Sequence, residues 1–300
     1  MALKDHGNMQ NFRDMVWLAK LSIASFQKWF PGATFMLFSN GDFNLLQEVF
    51  YSIPNPTLAD VEIINQRSER FTNPYDFAPT GVWMKWVPFR FDVTKHEISI
   101  DTDIICIDKP QSWYDWLESN KTVMVSMERF EKTTVNTCGD FYQHSLLKDK
   151  KPFNCGILGQ KAGCDFSERF YDICRSVEHG KTRDSLFITE QGAINLWARS
   201  LEQEGIALFE MSDTKNAWMR DFIYLMRSGV AVETVHAVSW HKKIIVHLKE
   251  IFEKRIYQAY NNDAFVLDIL KKSLSFDSFS RHIIGRQFSG EMMNLEIVPA

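Results

Sequence analysis

The sequence is short of the features that would take it out of ordinary globular chemistry. No apolar run approaches the roughly 20 residues that span a bilayer. The start, M-A-L-K-D-H-G-N, carries no apolar segment of the kind a secretory leader needs. The five cysteines, Cys106, Cys138, Cys155, Cys164 and Cys174, are odd in number and include no C-x-x-C pair. That argues against a disulfide framework or a zinc knot and for reduced, buried thiols. There is no internal repeat, low-complexity tract or clear linker. Charge of one sign is not in large excess: a net charge of −4 and a pI near 6.1 give no general attraction for nucleic acid. These absences together lead to the expectation of a soluble, cytoplasmic chain with no membrane span.

What is present suits a sizeable core. Three hundred residues, 45% apolar and 24% charged, fit one large domain or two small ones. Aromatics reach 14%, with nine Trp. A large aromatic core is the first reading of that excess, and stacking platforms for bases or sugars are the second.

Apolar periodicity alternates between two types. Phe12, Met15, Val16, Ala19, Ile23, Phe26 and Phe30 recur at helical steps and stop at Pro31-Gly32. A short strand follows over 33–38, closing on Ser39-Asn40-Gly41. Asp42 then stands as a helix cap before a second helix to Phe50, and 61–64 reads as another strand. Residues 65–80 are a polar, turn-rich loop, and G-V-W-M-K-W is helical up to Pro88. Further on, helices are expected from Ser112, from Phe166 and near Thr189, with strands at 122–127, 153–159, 206–211 and 230–238. Residues 128–152 are polar and aperiodic. The alternation predicts an α/β layer architecture with a single mixed, mostly parallel sheet flanked by helices. Residues 1–245 would form that body and 246–300 a helical C-terminal appendix. The appendix reads as core cover, and a homo-oligomer contact or an acceptor platform would suit it too.

One stretch organises the chain: H-E-I-S-I-D-T-D-I-I-C-I, His96 to Ile107. Its β-branched run suits a buried strand, and two carboxylates at its centre are costly there without partners. The expectation is a turn that aims Asp101 and Asp103 at one hard divalent cation, Mn2+ or Mg2+, which prefers oxygen ligands and often carries phosphate.

The order of motifs then resembles GT-A-fold nucleotide-sugar glycosyltransferases, in particular the retaining branch of glycogenin and galactinol synthase. The motifs are L-S-I-A-S-F, a strand ending S-N, W-M-K-W, I-S-I-D-T-D, F-N-C-G-I-L-G, T-E-Q-G-A-I-N-L-W and V-H-A-V-S-W-H-K-K, over residues 10–245. The resemblance implies a Rossmann-like fold and transfer of a hexose or pentose from a nucleoside diphosphate sugar, UDP-linked by preference, to an acceptor hydroxyl. The acceptor is a glycan, a protein, a small polyol or a modified nucleic-acid base. It implies that Asp101, Asp103 and His236 hold the cation, with Thr102 between the first two. Lys85, Arg90, His241 and Lys242 would meet the donor or its diphosphate. Asn154 and Gly156 would line the donor sugar, and Glu190 and Gln191 would face its reacting centre. Glu190 also has a plainer reading, as an acid in a first helical turn that complements the dipole. In the family a first strand frames the base; here either residues 2–4 form a stub of it or the chain lacks it.

Two alternatives remain open on these residues. One is a haloacid-dehalogenase-type phosphatase using Asp101 and Asp103. The other is a catalytically silent relative that binds a sugar nucleotide.

Overall fold

The computed structural model describes residues 9–39, 41–54, 58, 60–68, 81–128, 138–176, 183–218 and 228–236. The C-terminal appendix, most of the 65–80 loop and residues 129–137 lie outside them.

Helix α1 (Met9–Gln27) buries Val16, Trp17, Leu18 and Ala19 in one core, and Phe26 enters another. Strand β1 (Phe35–Ser39) follows. Helix α2 (Phe43–Ser52) starts where Asp42 accepts the Leu45 N–H through Oδ1 at 3.0 Å, the side-chain cap expected from the sequence. Strand β2 (Val61–Asn65) runs parallel to β1.

The run from Ile98 to Ile107 reads as one strand but folds as two. Strand β3 (Glu97–Ile100) is half-buried, and β4 (Ile104–Cys106) is fully buried. Between them Ile104 N donates to Asp101 O at 3.0 Å, closing a turn over Asp101–Asp103. The turn sends the two strands into different sheets. Strand β3 pairs antiparallel with β6 (Phe153–Gln160), and β4 pairs antiparallel with β9 (Thr234–His236). Helix α3 (Gln111–Glu118) and strand β5 (Val123–Met127) come next. After β6 come α4 (Ser167–Arg175), α5 (Arg183–Gln203), β7 (Leu208–Met211) and β8 (Asn216–Trp218).

The mixed α/β class is therefore present, but the pairing differs from a single, mostly parallel sheet. Among the described residues the strands fall into three sheets, ordered β1-β2, β3-β6-β5-β7 and β4-β9-β8. Parallel and antiparallel neighbours are equal in number. The turn at Asp101–Asp103 accounts for β3 and β4 lying in different sheets.

Strand β6 carries a bulge. Val125 pairs with Leu158 but Ser126 with Asn154, so Cys155, Gly156 and Ile157 stand out from the β5 ladder. Bulges re-aim backbone groups and recur beside active sites. The Trp excess is mainly core. Trp17, Trp83, Trp86, Trp113, Trp116 and Trp197 are among the fully buried side chains, and Phe89 stacks on Phe170 at 4.2 Å.

Candidate active site

The β3–β4 turn gathers the chemistry. Asp101 N donates to Gly156 O at 2.8 Å, tying the turn to the bulge of β6. Ile104 lies opposite His236 in the β4–β9 pair, so the imidazole arrives beside the turn. Its Nε2 stands 3.4 Å from Asp103 Oδ1 and 3.6 Å from Asp101 Oδ2. One ligand atom from each of Asp101, Asp103 and His236 lies within 4.8 Å of the others.

Withdrawing two carboxylates from water is costly unless a cation joins them. Two carboxylates and an imidazole form a donor set that suits Mn2+ or Mg2+. Ligands about 2.1 Å from one ion at right angles stand roughly 3 Å apart, near the spacing found here. The Thr102 hydroxyl, in the same turn, is buried and has no hydrogen-bond partner among the described residues. The residues fit a divalent cation.

Lys85 comes from the 3-10 helix Gly81–Trp86. Its ammonium donates to Asp101 Oδ1 at 2.9 Å and to Cys155 O at 2.7 Å, and lies 3.6 Å from Glu190 Oε1. It also packs over the Trp86 ring at 4.6 Å. Burial alone would lower its pKa, but the neighbouring acidic groups, Asp101 foremost, outweigh burial and hold it well above the ordinary range. For Asp101 burial is the largest single influence and pushes upward, but the Lys85 charge together with other nearby positive charge outweighs it, so the carboxyl is held below the usual range.

Glu190 does not sit in a first turn. Helix α5 begins at Arg183, two turns earlier, so the dipole reading is lost. Its carboxyl is almost fully buried and accepts from Trp86 Nε1 (2.5 Å) and Cys155 Sγ (3.2 Å). Burial pushes its pKa up, with Lys85 the main opposing charge. Burial likewise pushes the Cys155 thiol well up, fitting a donor rather than a nucleophile. Gln191 donates through Nε2 to Phe153 O (3.0 Å) and Glu128 Oε2 (3.3 Å).

Asn154 Oδ1 accepts from Gly156 N at 2.8 Å. Gly156 has a more specific role than open approach to a ligand. A β-carbon there would lie 2.9 Å from His236 Cε1 and 2.8 Å from Asn154 Oδ1. The missing side chain makes room for the imidazole.

Arg90 is not brought to this cluster. Its guanidinium donates to Gln160 O (2.8 Å), Lys161 O (3.0 Å) and Lys95 O, and Nε lies 3.9 Å from Glu97. Gln160 pairs with Glu97 at the far end of the β3–β6 ladder from Asp101. Arg90 therefore ties β6 to the segment before β3, at the end of the ladder away from Asp101. His241 and Lys242 lie outside the described residues.

Sequence reasoning passed over three participants. Glu128 follows β5 directly, and that position, the carboxyl end of an apolar strand, is the signal that could have found it. Cys155 acts through its backbone carbonyl, which no side-chain pattern reveals. Gly192 admits the 3-10 helix Gly139–Gln143: a β-carbon on it would come 2.2 Å from Cys138 O. A glycine inside a helical pattern was the visible sign.

No described helix is long and apolar enough to cross a membrane. No protein-family model and no curated protein matches the sequence. Among solved structures, the chain is similar to the galactosyltransferase LgtC in complex with donor and acceptor sugar analogs. That match has 14% identity and a TM-score of 0.47, over 81% of this chain and 91% of that one. It is similar to apo WbbM, a bifunctional glycosyltransferase, at 11% identity and a TM-score of 0.48, over 88% of this chain and 50% of that one. An active-site mutant of LgtC gives 11% identity and a TM-score of 0.45, over 80% and 92%. These solved structures are glycosyltransferases.

Proposed function

We propose that the protein is a metal-dependent glycosyltransferase that moves a hexose or pentose from a nucleoside diphosphate sugar, with a UDP-sugar favoured, to an acceptor hydroxyl. The observation that carries the reading is the meeting of Asp101, Asp103 and His236 within 4.8 Å beside the Lys85 ammonium. In this reading those three residues hold Mn2+ or Mg2+ on the diphosphate. The bound cation supplies Lewis-acid stabilisation of the departing diphosphate.

The chain's own groups divide the remaining work. Lys85 keeps a fixed positive charge beside Asp101 and Glu190 in a desolvated setting, where preorganised charge is worth most. Thr102 offers a hydroxyl in the same turn. Asn154 and Gln191 present amides, and Glu190 a carboxyl, toward the donor sugar. Gly156 leaves room for the His236 ring. His241 and Lys242 would add positive charge for the diphosphate. In the reaction the bond from the anomeric carbon to the diphosphate oxygen breaks, with its electron pair leaving on the nucleotide. The acceptor oxygen forms the new bond and gives up its proton. Positioning of the two reactants supplies much of the acceleration.

The test is calorimetric titration of UDP, GDP and their sugar conjugates with Mn2+ and with chelator, followed by an assay of nucleotide release. We expect one nucleotide to bind only with metal and to be released slowly from its conjugate. We also expect Asp103→Ala to lower metal-dependent binding by more than about tenfold, since it removes a direct ligand. Full metal-dependent transfer by Asp103→Ala would sink the assignment. Binding with neither transfer nor hydrolysis would identify a silent sugar-nucleotide binder. Hydrolysis of phosphomonoesters with no nucleotide binding would favour the phosphatase.

A further inference from the structure

Glu128 is the first residue after β5, and its carboxyl is buried. Oε2 accepts from Asn154 Nδ2 at 2.9 Å and from Gln191 Nε2 at 3.3 Å. These amides belong to different elements, β6 and α5, and both face the donor sugar in the function proposed above. Oε2 accepts from both amides, so it bears on which end of each turns toward it. Asn154 is left with Oδ1 on Gly156 N, inside the bulge of β6. Gln191 is left with Oε1 toward the Cys155 thiol, at 3.9 Å.

The surroundings hold this arrangement. Asn195 accepts from Phe153 N at 2.6 Å and donates to Phe153 O at 2.9 Å. It also donates to Gln191 O at 2.8 Å, one turn back along α5. Strand and helix are thus fixed at the base of the site; Gln191 Nε2 also donates to Phe153 O at 3.0 Å, so Glu128 shares the hold on the two amides with the backbone of β6. A glutamine at 128 would fill nearly the same volume with a smaller desolvation cost. Its own amide can turn, however, and the other two amides are then held only by Gly156 N on Asn154 Oδ1 and by Phe153 O on Gln191 Nε2.

We infer that Glu128 is a positioning residue. By orienting the Asn154 and Gln191 amides it sets recognition of the donor's sugar, as distinct from its nucleoside diphosphate. The inference rests on the nucleotide-sugar reading. The metal cluster comes from the β3–β4 turn and β9, so replacing Glu128 leaves the diphosphate's ligands in place.

The experiment titrates UDP and GDP, and their sugar conjugates, with Mn2+ into the wild type, Glu128→Gln and Glu128→Asp, with thermal midpoints measured alongside. We expect the diphosphate alone to bind both variants within about twofold of the wild type. The advantage of the conjugate over the diphosphate should fall about tenfold or more in Glu128→Gln, the scale of a misplaced hydrogen bond. Glu128→Asp, which keeps the charge on a shorter arm, should fall between the two. Equal losses for diphosphate and conjugate would make Glu128 a purely structural residue and overturn the inference. An unchanged advantage would overturn it as well, as would a conjugate that binds the wild type no better than the diphosphate. If Glu128→Gln does not fold, Glu128→Asp alone must show the reduced advantage. A wild type that binds no diphosphate overturns the nucleotide-sugar reading itself, and that failure shows before any variant is made.

Discussion

The His236 imidazole occupies the space that a side chain at Gly156 would need: a β-carbon on residue 156 would lie 2.9 Å from His236 Cε1. Ile104 Cδ1, at 3.0 Å, closes the other side. Neither neighbour retreats cheaply, since Ile104 is fully buried and His236 nearly so. We therefore expect Gly156→Ala to move the imidazole away from Asp101 and Asp103. Overpacking of this kind costs about 1–3 kcal/mol. Mn2+ affinity should fall at least about tenfold, as for a displaced ligand shell. Calorimetry of Mn2+ binding checks it, and wild-type affinity in a folded Gly156→Ala would show that His236 is not a ligand.

Lys85 sits between two carboxyl groups, 2.9 Å from Asp101 and 3.6 Å from Glu190, and is itself buried. Replacing it with Met keeps most of its volume and leaves both acids without their shared cation. Breaking a buried pair from one side typically costs about 3–5 kcal/mol. We expect Lys85→Met to lose stability on that scale in urea unfolding with chelator present. Adding Glu190→Gln to Lys85→Met should recover part of the loss, because one uncompensated charge is then gone. A double variant no more stable than the single one would mean that Lys85 acts on Asp101 alone.

Much of this site was legible in the sequence, for identifiable reasons. Asp101 and Asp103 stand out because charge interrupts an apolar run, and His236 because it closes a late apolar stretch. Asn154 and Gly156 stand out as a polar entry and a break in a strand. Glu190 is legible as a residue, but its place in the helix is not: the apolar pattern of α5 gives no sign that the helix starts at Arg183, two turns earlier. The charge of Arg90 invites a phosphate, whereas three backbone carbonyls hold it. The turn at Asp101–Asp103 is legible from the two carboxylates, but local periodicity does not show that it sends β3 and β4 to different partners. Pairing is a long-range property, and the register of β4 with β9 is what delivers His236.

Acid should reveal the Asp101–Lys85 pair. Asp101 binds its proton less readily in the folded state than in the unfolded one, so its contribution to stability is present above the usual carboxylate range. That contribution is lost as pH falls through the usual range toward the depressed folded value. Glu190 has the opposite sign, its pKa being raised by burial, so only a paired comparison isolates Asp101. With chelator present, the stability gap between wild type and Asp101→Asn should narrow steadily below about pH 5. A gap constant over that range would show that the ion pair adds nothing to folding.

Gly192 sets two effects against each other, and their magnitudes decide the outcome. Alanine is a better helix former than glycine by about 1 kcal/mol, so propensity alone expects Gly192→Ala to stabilise α5. Against that, the new β-carbon would sit 2.2 Å from the backbone oxygen of Cys138 and 2.9 Å from its carbonyl carbon. Backbone cannot swing aside as a flexible side chain can, so the 3-10 helix Gly139–Gln143 must part from α5. Phe141 and Leu147 then lose their burial, at about 1.5–3 kcal/mol for each side chain fully exposed. The steric term exceeds the propensity gain, and we expect a net loss of about 1–3 kcal/mol, the usual cost of overpacking. Gln191 adjoins this contact, so donor-sugar affinity should fall together with stability. Urea unfolding and calorimetry on the same variant check both, and a Gly192→Ala protein more stable than the wild type would mean that the 138–143 segment does not dock on α5 in solution.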